Sequence, residues 1–272
     1  MQSYTPEQYA HNRDAFLQRV QAFLQNDERF VAAWLTGSFG RGAEDNLSDF
    51  DLRVVVADRY VKSLCSCGPN ATTRITSEDR LTLYKQFGEP LVLREDASFP
   101  SDGEGGCYNH VMYRETATTV DWVLIPQATA KIPSEECRLL FDKVGLPMKP
   151  PPIAESLEDR ATQASRDIGF FWLMTAIGIK YMLRGDTVAL YGFLGSTYYA
   201  LQEVKRLAAG EPQRYAHGSI KTLATTPQAQ VALIRQLCAE MLEVMPHIAA
   251  LGGYVPEDPM SVIEVWLSMA KE

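Results

Sequence analysis

The stretch Trp34-Leu-Thr-Gly-Ser-Phe-Gly-Arg-Gly-Ala-Glu-Asp-Asn-Leu-Ser-Asp-Phe-Asp-Leu-Arg-Val-Val-Val56 decides how this chain is read. Apolar residues from Phe30 to Thr36 make a strand, a Gly-Ser turn follows, and a second branched strand runs over Leu52 to Val56. Gly37 lets the backbone turn sharply and lets amide N–H groups approach a ligand unobstructed. A Ser-containing turn that opens a helix presents N–H donors and a hydroxyl, a cradle for phosphate oxygens. Asp49 and Asp51 are two residues apart, so on an extended strand they face the same side, with Cα atoms roughly 6.6 Å apart. Two converging carboxylates repel unless a cation lies between them. Mg²⁺, which takes oxygen ligands and substrate phosphates, suits that position. A lone Asp-x-Asp is usually solvated charge and a lone Gly-Ser usually a plain turn; the order and spacing here make the combination specific.

Outward from this motif, the N-terminal side reads as a helix. Thr5 is its N-cap, Pro6 takes the first helical position, and Gln8 closes a capping box. Tyr9, Phe16, Val20, Phe23 and Leu24 form its apolar stripe. On the C-terminal side, Ser77 caps a helix over Glu78 to Phe87. Strands are expected at Leu91–Leu93, Tyr108–Tyr113 and Thr118–Ile125, with a Gly-, Ser- and Asp-rich loop at 96–107. Residues 126–153 hold six prolines, including Pro150-Pro151-Pro152, and are read as a boundary because proline continues neither a helix nor a central strand. Helical patterns follow over Glu155–Leu183, Asp186–Ala209, 227–250 and 259–270, with Gly185 and Gly210 as terminators. The fold class is therefore α+β. A small mixed β-sheet flanked by helices spans 1–130, a Pro-rich linker 131–153, and a helical bundle 154–272.

At 272 residues, 46% hydrophobic and 22% charged, the composition is that of an ordinary soluble globular protein. The N-terminus lacks the apolar region of a targeting signal. The apolar run Ile168–Ile179 falls well short of the roughly 20 residues of a membrane span, so a cytoplasmic protein is expected. Five cysteines argue against a disulfide framework, and the Cys65-x-Cys67 pair has no partners to complete a zinc site. His11, His110, His217 and His247 are scattered without metal-ligand spacing and are read as surface or core residues. A net charge of −8 with no basic stripe makes nucleic acid an unsuitable partner.

The motif resembles the signature of the DNA-polymerase-β-like nucleotidyltransferase superfamily, Gly-Ser followed after a short loop by Asp-x-Asp. Its extended form, Gly-Ser-x-Gly-Arg-Gly…Ser-Asp-x-Asp-Leu, resembles the bacterial antibiotic nucleotidyltransferases acting on aminoglycosides or lincosamides. A looser similarity to the lincosamide group lies in Phe170-Phe-Trp-Leu-Met-Thr…Arg184-Gly-Asp. The resemblance implies that Gly37 and Ser38 hold the β- and γ-phosphates of ATP or another nucleoside triphosphate, and that Asp49 and Asp51 ligate two Mg²⁺ ions. It also implies a third carboxylate on a later strand. Asp121 matches, as the one charge inside Thr118-Thr-Val-Asp-Trp-Val-Leu-Ile125, where an unpaired carboxylate would be costly; the alternative is a carboxylate with a basic partner. Arg41 is a candidate phosphate contact. Glu44 and Asp45 read as solvated charges, and Ser48 as ordering its turn.

Transfer to an alcohol needs a general base, for which Glu95, Asp96, Glu104, Asp167 and Glu203 are candidates. Asp167 also has a helix-dipole explanation, as a carboxylate at the start of an apolar helical run. Tyr191, Tyr198, Tyr199 and Trp172 are candidate acceptor-pocket residues or simply core. The expected activity is Mg²⁺-dependent transfer of a nucleoside monophosphate to a small hydroxylated acceptor by a monomer or homodimer. The alternatives are nucleotidylylation of a partner protein, as in toxin–antitoxin systems, and a non-catalytic nucleotide-binding regulator.

Overall fold

The apolar alternation of the central strands dictates a sheet covered by helices on one face. The computed structural model, which describes residues 4–65, 77–96, 106–213 and 224–270, has that arrangement. The chain divides into two compact units, Met1–Pro151 and Pro152–Glu272.

The first unit runs α1 (Pro6–Asn26), β1 (Phe30–Leu35), α2 (Gly37–Arg41), β2 (Phe50–Val56), α3 (Val61–Leu64) and α4 (Glu78–Lys85). It continues with β3 (Pro90–Asp96), β4 (Cys107–Tyr113), β5 (Thr119–Pro126), β6 (Ile132–Pro133), β7 (Arg138–Asp142) and β8 (Met148–Lys149). Six strands form one mixed sheet in the order β3-β4-β5-β2-β1-β7; β2 and β5 are parallel and the other pairs antiparallel. The Thr5–Gln8 capping box is present at the start of α1.

The period of two along each strand sorts side chains cleanly. Phe50, Leu52, Val54 and Val56 of β2, with Val120, Trp122 and Leu124 of β5, point to the face covered by Phe16, Val20 and Leu24 of α1 and by Leu83 and Tyr84 of α4. Each such fully buried side chain contributes about 1.5–3 kcal/mol. The intervening positions, Asp51, Arg53, Asp121, Tyr108 and His110 among them, occupy the opposite face.

Of residues 131–153, expected to be a linker, 131–151 belong to the first unit. Their prolines flank a Pro-free run, Ser134–Leu146, that contains β7, and β7 pairs with β1 at the sheet edge. Lys143 Nζ donates to the carbonyls of Leu24, Asp27 and Phe30, and the Asp142 carboxylate accepts from the amides of Val144, Gly145 and Leu146. Proline density over the window conceals this strand because the prolines lie at its margins, where they cost no ladder hydrogen bond. The break between units falls inside the triple proline, at Pro151–Pro152.

The second unit is helical: α5 (Leu157–Leu183), α6 (Thr187–Ala209), α7 (Pro227–Ala250) and α8 (Pro259–Leu267). Ser156, Asp186 and Thr226 cap the first three. Gly210 ends α6 at φ 72°, a conformation glycine adopts without strain. Ile168, Phe171, Leu194, Leu201, Leu237 and Met241 are among its buried core. Among the described residues no helix is long and apolar enough to cross a membrane.

Candidate active site

β1 delivers the chain to Thr36, whose amide donates to the Asp51 carbonyl at 3.0 Å, so the Gly-Ser turn is tied to the Asp-x-Asp strand by backbone. Gly37 has φ +62°, and a Cβ there would overlap Asp51 Oδ2. Both features demand glycine: the left-handed backbone, and the carboxylate packed against the bare Cα. Helix α2 starts at Gly37, so its first amides have no carbonyl within the helix to bond. Gly40 is constrained by space alone, since a Cβ there would overlap the Glu136 carbonyl oxygen.

The loop from Ser38 to Asp49 is held by bonds within it and by a residue of α1. Ser48 Oγ donates to Asp45 Oδ1 at 3.0 Å and accepts from the Asp45 amide at 2.9 Å, the ordering role expected of it. Arg13 of α1, 3% exposed, donates from Nη1 to the carbonyls of Asp45 (2.7 Å) and Ser48 (3.0 Å). Its guanidinium lies 4.9 Å from the Phe39 ring centroid. Arg13 escaped the sequence reading although a signal existed: it falls on the apolar stripe of α1, between Tyr9 and Phe16, where a charge needs partners. Glu44 is 3.5 Å from Arg138, and Asp45 is held below the usual carboxylate range chiefly by the Leu47 amide.

The register brings the distant carboxylate in. Asp51 of β2 is directly paired with Asp121 of the parallel strand β5, and Asp121 with His110 of antiparallel β4. Burial first, then the charges of Asp49 and Asp121, push the Asp51 carboxyl up to about 6, against the opposing fields of Arg53 and Arg41. Tyr108 donates its hydroxyl to Asp121 Oδ2 at 2.6 Å, and His110 Nδ1 lies 2.6 Å from Asp121 Oδ1. Burial first, then its hydrogen bond to Asp121, drives the Tyr108 hydroxyl well above its ordinary range. His110, read from sequence as a surface or core residue, is therefore the basic partner of Asp121. No local signal identifies it, because the contact exists only once β4 and β5 pair. Arg53, two residues beyond Asp51 on the same face, carries a buried Nη1 with no hydrogen-bond partner.

Asp49 is exposed at the entrance to β2. Among the described residues no group of three or more His, Cys, Asp and Glu side chains stands close enough to hold a metal ion. The donor chemistry of Asp49, Asp51 and Asp121 nonetheless suits a hard divalent cation. All three offer oxygen, and the charges of Asp49 and Asp121, which add to burial in raising the Asp51 carboxyl, are ones a cation would offset.

The remaining candidates are dispersed. Glu95 is committed to buried Arg80 at 2.8 Å. Glu203 is committed to Arg206 at 2.7 Å, with Gln163 at 3.2 Å. Glu104 lies outside the described residues, as do Cys67 and His217, and Asp96 lies on β3. Asp167 sits in the interior of α5, which begins at Leu157, so the helix-dipole account of it does not hold. Trp172 is buried in the helical core, Tyr198 packs against it, and Tyr199 is exposed.

No protein-family model matches the sequence, and no curated protein matches it. Among solved structures the chain is similar to an aminoglycoside 6-adenyltransferase from Bacillus subtilis, with 13% identity over 99% of this chain and 100% of that one and a TM-score of 0.28. It is also similar to a STING-associated CdnE c-di-GMP synthase from Capnocytophaga granulosa, with 14% identity over 92% of this chain and 84% of that one and a TM-score of 0.33. Likeness at this level carries no function across.

Proposed function

We propose that the chain is a nucleotidyltransferase that moves a nucleoside monophosphate from a nucleoside triphosphate, ATP foremost, onto a hydroxyl of a small molecule, with release of pyrophosphate. The observation that carries this reading is the in-register pairing of Asp51 with Asp121 on adjacent parallel strands, with the Gly37 turn packed directly on Asp51. In this scheme Gly37 and Ser38 receive the β- and γ-phosphates, Arg41 and Arg53 face the polyphosphate charge, and Asp49, Asp51 and Asp121 hold Mg²⁺. When bound, the metal lowers the pKa of the attacking hydroxyl and stabilises the charge on the leaving oxygen. Tyr108 and His110 orient Asp121 through its two oxygens. The acceptor class implied by the sequence resemblance is an aminoglycoside or lincosamide antibiotic.

The test is Mg²⁺-dependent pyrophosphate release from ATP against a panel of aminoglycosides and lincosamides, with Asp49→Asn as control. Release that requires one compound class and disappears in the variant supports the proposal. Wild-type turnover in Asp49→Asn, or no release with any acceptor and nucleotide, overturns it.

Arg13→Met is expected to lower kcat/KM by about tenfold and to destabilise the fold by about 1–2 kcal/mol. It keeps the side-chain volume but removes both hydrogen bonds that hold the loop before Asp49. Steady-state kinetics beside urea unfolding would check both effects; unchanged kinetics would remove Arg13 from the positioning role.

A further inference from the structure

Helices α5 and α6 pack side by side, tied near one end by Arg160, which donates to the Leu207 and Ala208 carbonyls, and by Gln163, which donates to Glu203. Further along the pair a groove of about 740 Å³ opens, lined by Asp167 and Phe170 from α5 and by Tyr191, Gly192, Gly195 and Tyr199 from α6. Asp167 Oδ2 is buried and has no hydrogen-bond partner. The adjacent Glu203 is neutralised by Arg206; Asp167 is not. Phe170 and Tyr199 are 44% and 57% exposed, so two aromatic side chains stand at the groove with much of their surface uncovered. The Tyr191 ring is anchored by its hydroxyl, which donates to the Ala224 carbonyl at 2.6 Å.

The two glycines are the second observation. Both lie inside a 23-residue helix, where glycine is a poor helix former, and a Cβ on either would meet nothing within 4 Å. Packing does not require them. They keep the groove floor bare between an unpaired carboxylate and exposed aromatic faces.

We propose that this groove binds a small organic monocation, a protonated amine carried on an aromatic or apolar body. The ammonium pairs with the Asp167 carboxylate, and the body lies over Gly192 and Gly195 against Phe170 and Tyr199. A single unpaired carboxylate matches a single charge, and the fields of Arg166 and Arg206, both felt by Asp167, disfavour a polycation. Burial and then Glu203 raise the Asp167 carboxyl to about 6, which an ammonium partner would reverse. The site lies wholly within the second unit and its occupation needs neither nucleotide nor metal, so it stands or falls apart from nucleotidyl transfer.

The experiment is calorimetric titration of the full chain, without nucleotide or Mg²⁺, using 2-phenylethylamine, its neutral counterpart 2-phenylethanol, and spermine. The amine is expected to bind at least about tenfold more tightly than the alcohol, as a charge-assisted hydrogen bond requires. Asp167→Asn is expected to erase that preference. Gly195→Leu is expected to abolish binding of both aromatic probes without lowering the melting temperature, since it fills open space and favours the helix. Equal binding of amine and alcohol, preference for spermine, an amine affinity unchanged in Asp167→Asn, or no binding at millimolar concentration would each overturn the proposal.

Discussion

Asp51→Asn is expected to lower Mg²⁺-dependent turnover by about 10³-fold or more, and at the same time to raise the melting temperature of the metal-free protein above pH 6. The two effects share a cause. The Asp51 carboxyl, ordinarily near 3.8, is raised to about 6 in the folded chain by burial and by Asp49 and Asp121. A folded-state value above the unfolded one means that the folded chain binds this proton more tightly. The protonated carboxyl therefore favours folding fully below about pH 4, and that contribution is lost as pH rises through 6. Above pH 6 the folded state bears the cost of a buried carboxylate beside two others. Asparagine removes the charge, so its advantage over aspartate is greatest at pH 7–8 and smallest near pH 4. Solvent reaches part of the group, which reduces the effect to about 1 kcal/mol, or a shift of about 2–4 °C. Melting curves in EDTA from pH 4 to 8, beside pyrophosphate release, check both arms. An Asn variant less stable than wild type at pH 8 would contradict the electrostatic account, and one with full turnover would remove Asp51 from the chemistry.

Gly37→Ala is expected to lower kcat/KM by about 100-fold or more, because an ångström of displacement at a reacting centre costs that much. At φ +62° the new residue is strained, and its Cβ would overlap Asp51 Oδ2 and lie 2.7 Å from Asp51 Cγ, so the carboxylate must leave its position beside Asp121. Gly42→Ala separates strain from crowding. Gly42 has φ +65°, yet a Cβ there meets nothing within 4 Å. This second variant is expected to lose about 1 kcal/mol of stability from backbone strain while keeping most of its activity. If both variants lose activity equally, the defect lies in the turn's conformation rather than in the placement of Asp51. Kinetics and thermal melts on the pair distinguish the two.

Much of this site is legible in the sequence because its parts obey local rules. The Thr5 cap, the Gly-Ser turn and Asp51 on an extended strand each follow from residue type and from neighbours within a few positions. Asp121 is legible for a related reason: a lone carboxylate among Val, Trp, Leu and Ile needs a partner, wherever that partner lies. The basic-partner alternative for it describes His110, whose Nδ1 lies against Asp121 Oδ1, and the metal-ligand role belongs to the proposal. β7 was hidden because proline density describes a window, whereas pairing depends on the Pro-free run within it. Arg13, Tyr108 and His110 were hidden because their partners lie 11 to 35 residues away in sequence.

The sequence by itself determined the long helices, the central strands and the chemistry of the Gly-Ser loop, since capping, turn geometry and strand alternation act over a few residues. It also determined that Asp121 requires compensation. Tertiary structure alone decided that β2 and β5 run parallel in a register that sets Asp51 against Asp121, that Arg13 holds the loop before Asp49, and that Asp167 lines a groove between two helices. Strand order and helix pairing bring together residues that no spacing rule connects, and burial then raises the proton affinity of Asp51 and Asp167.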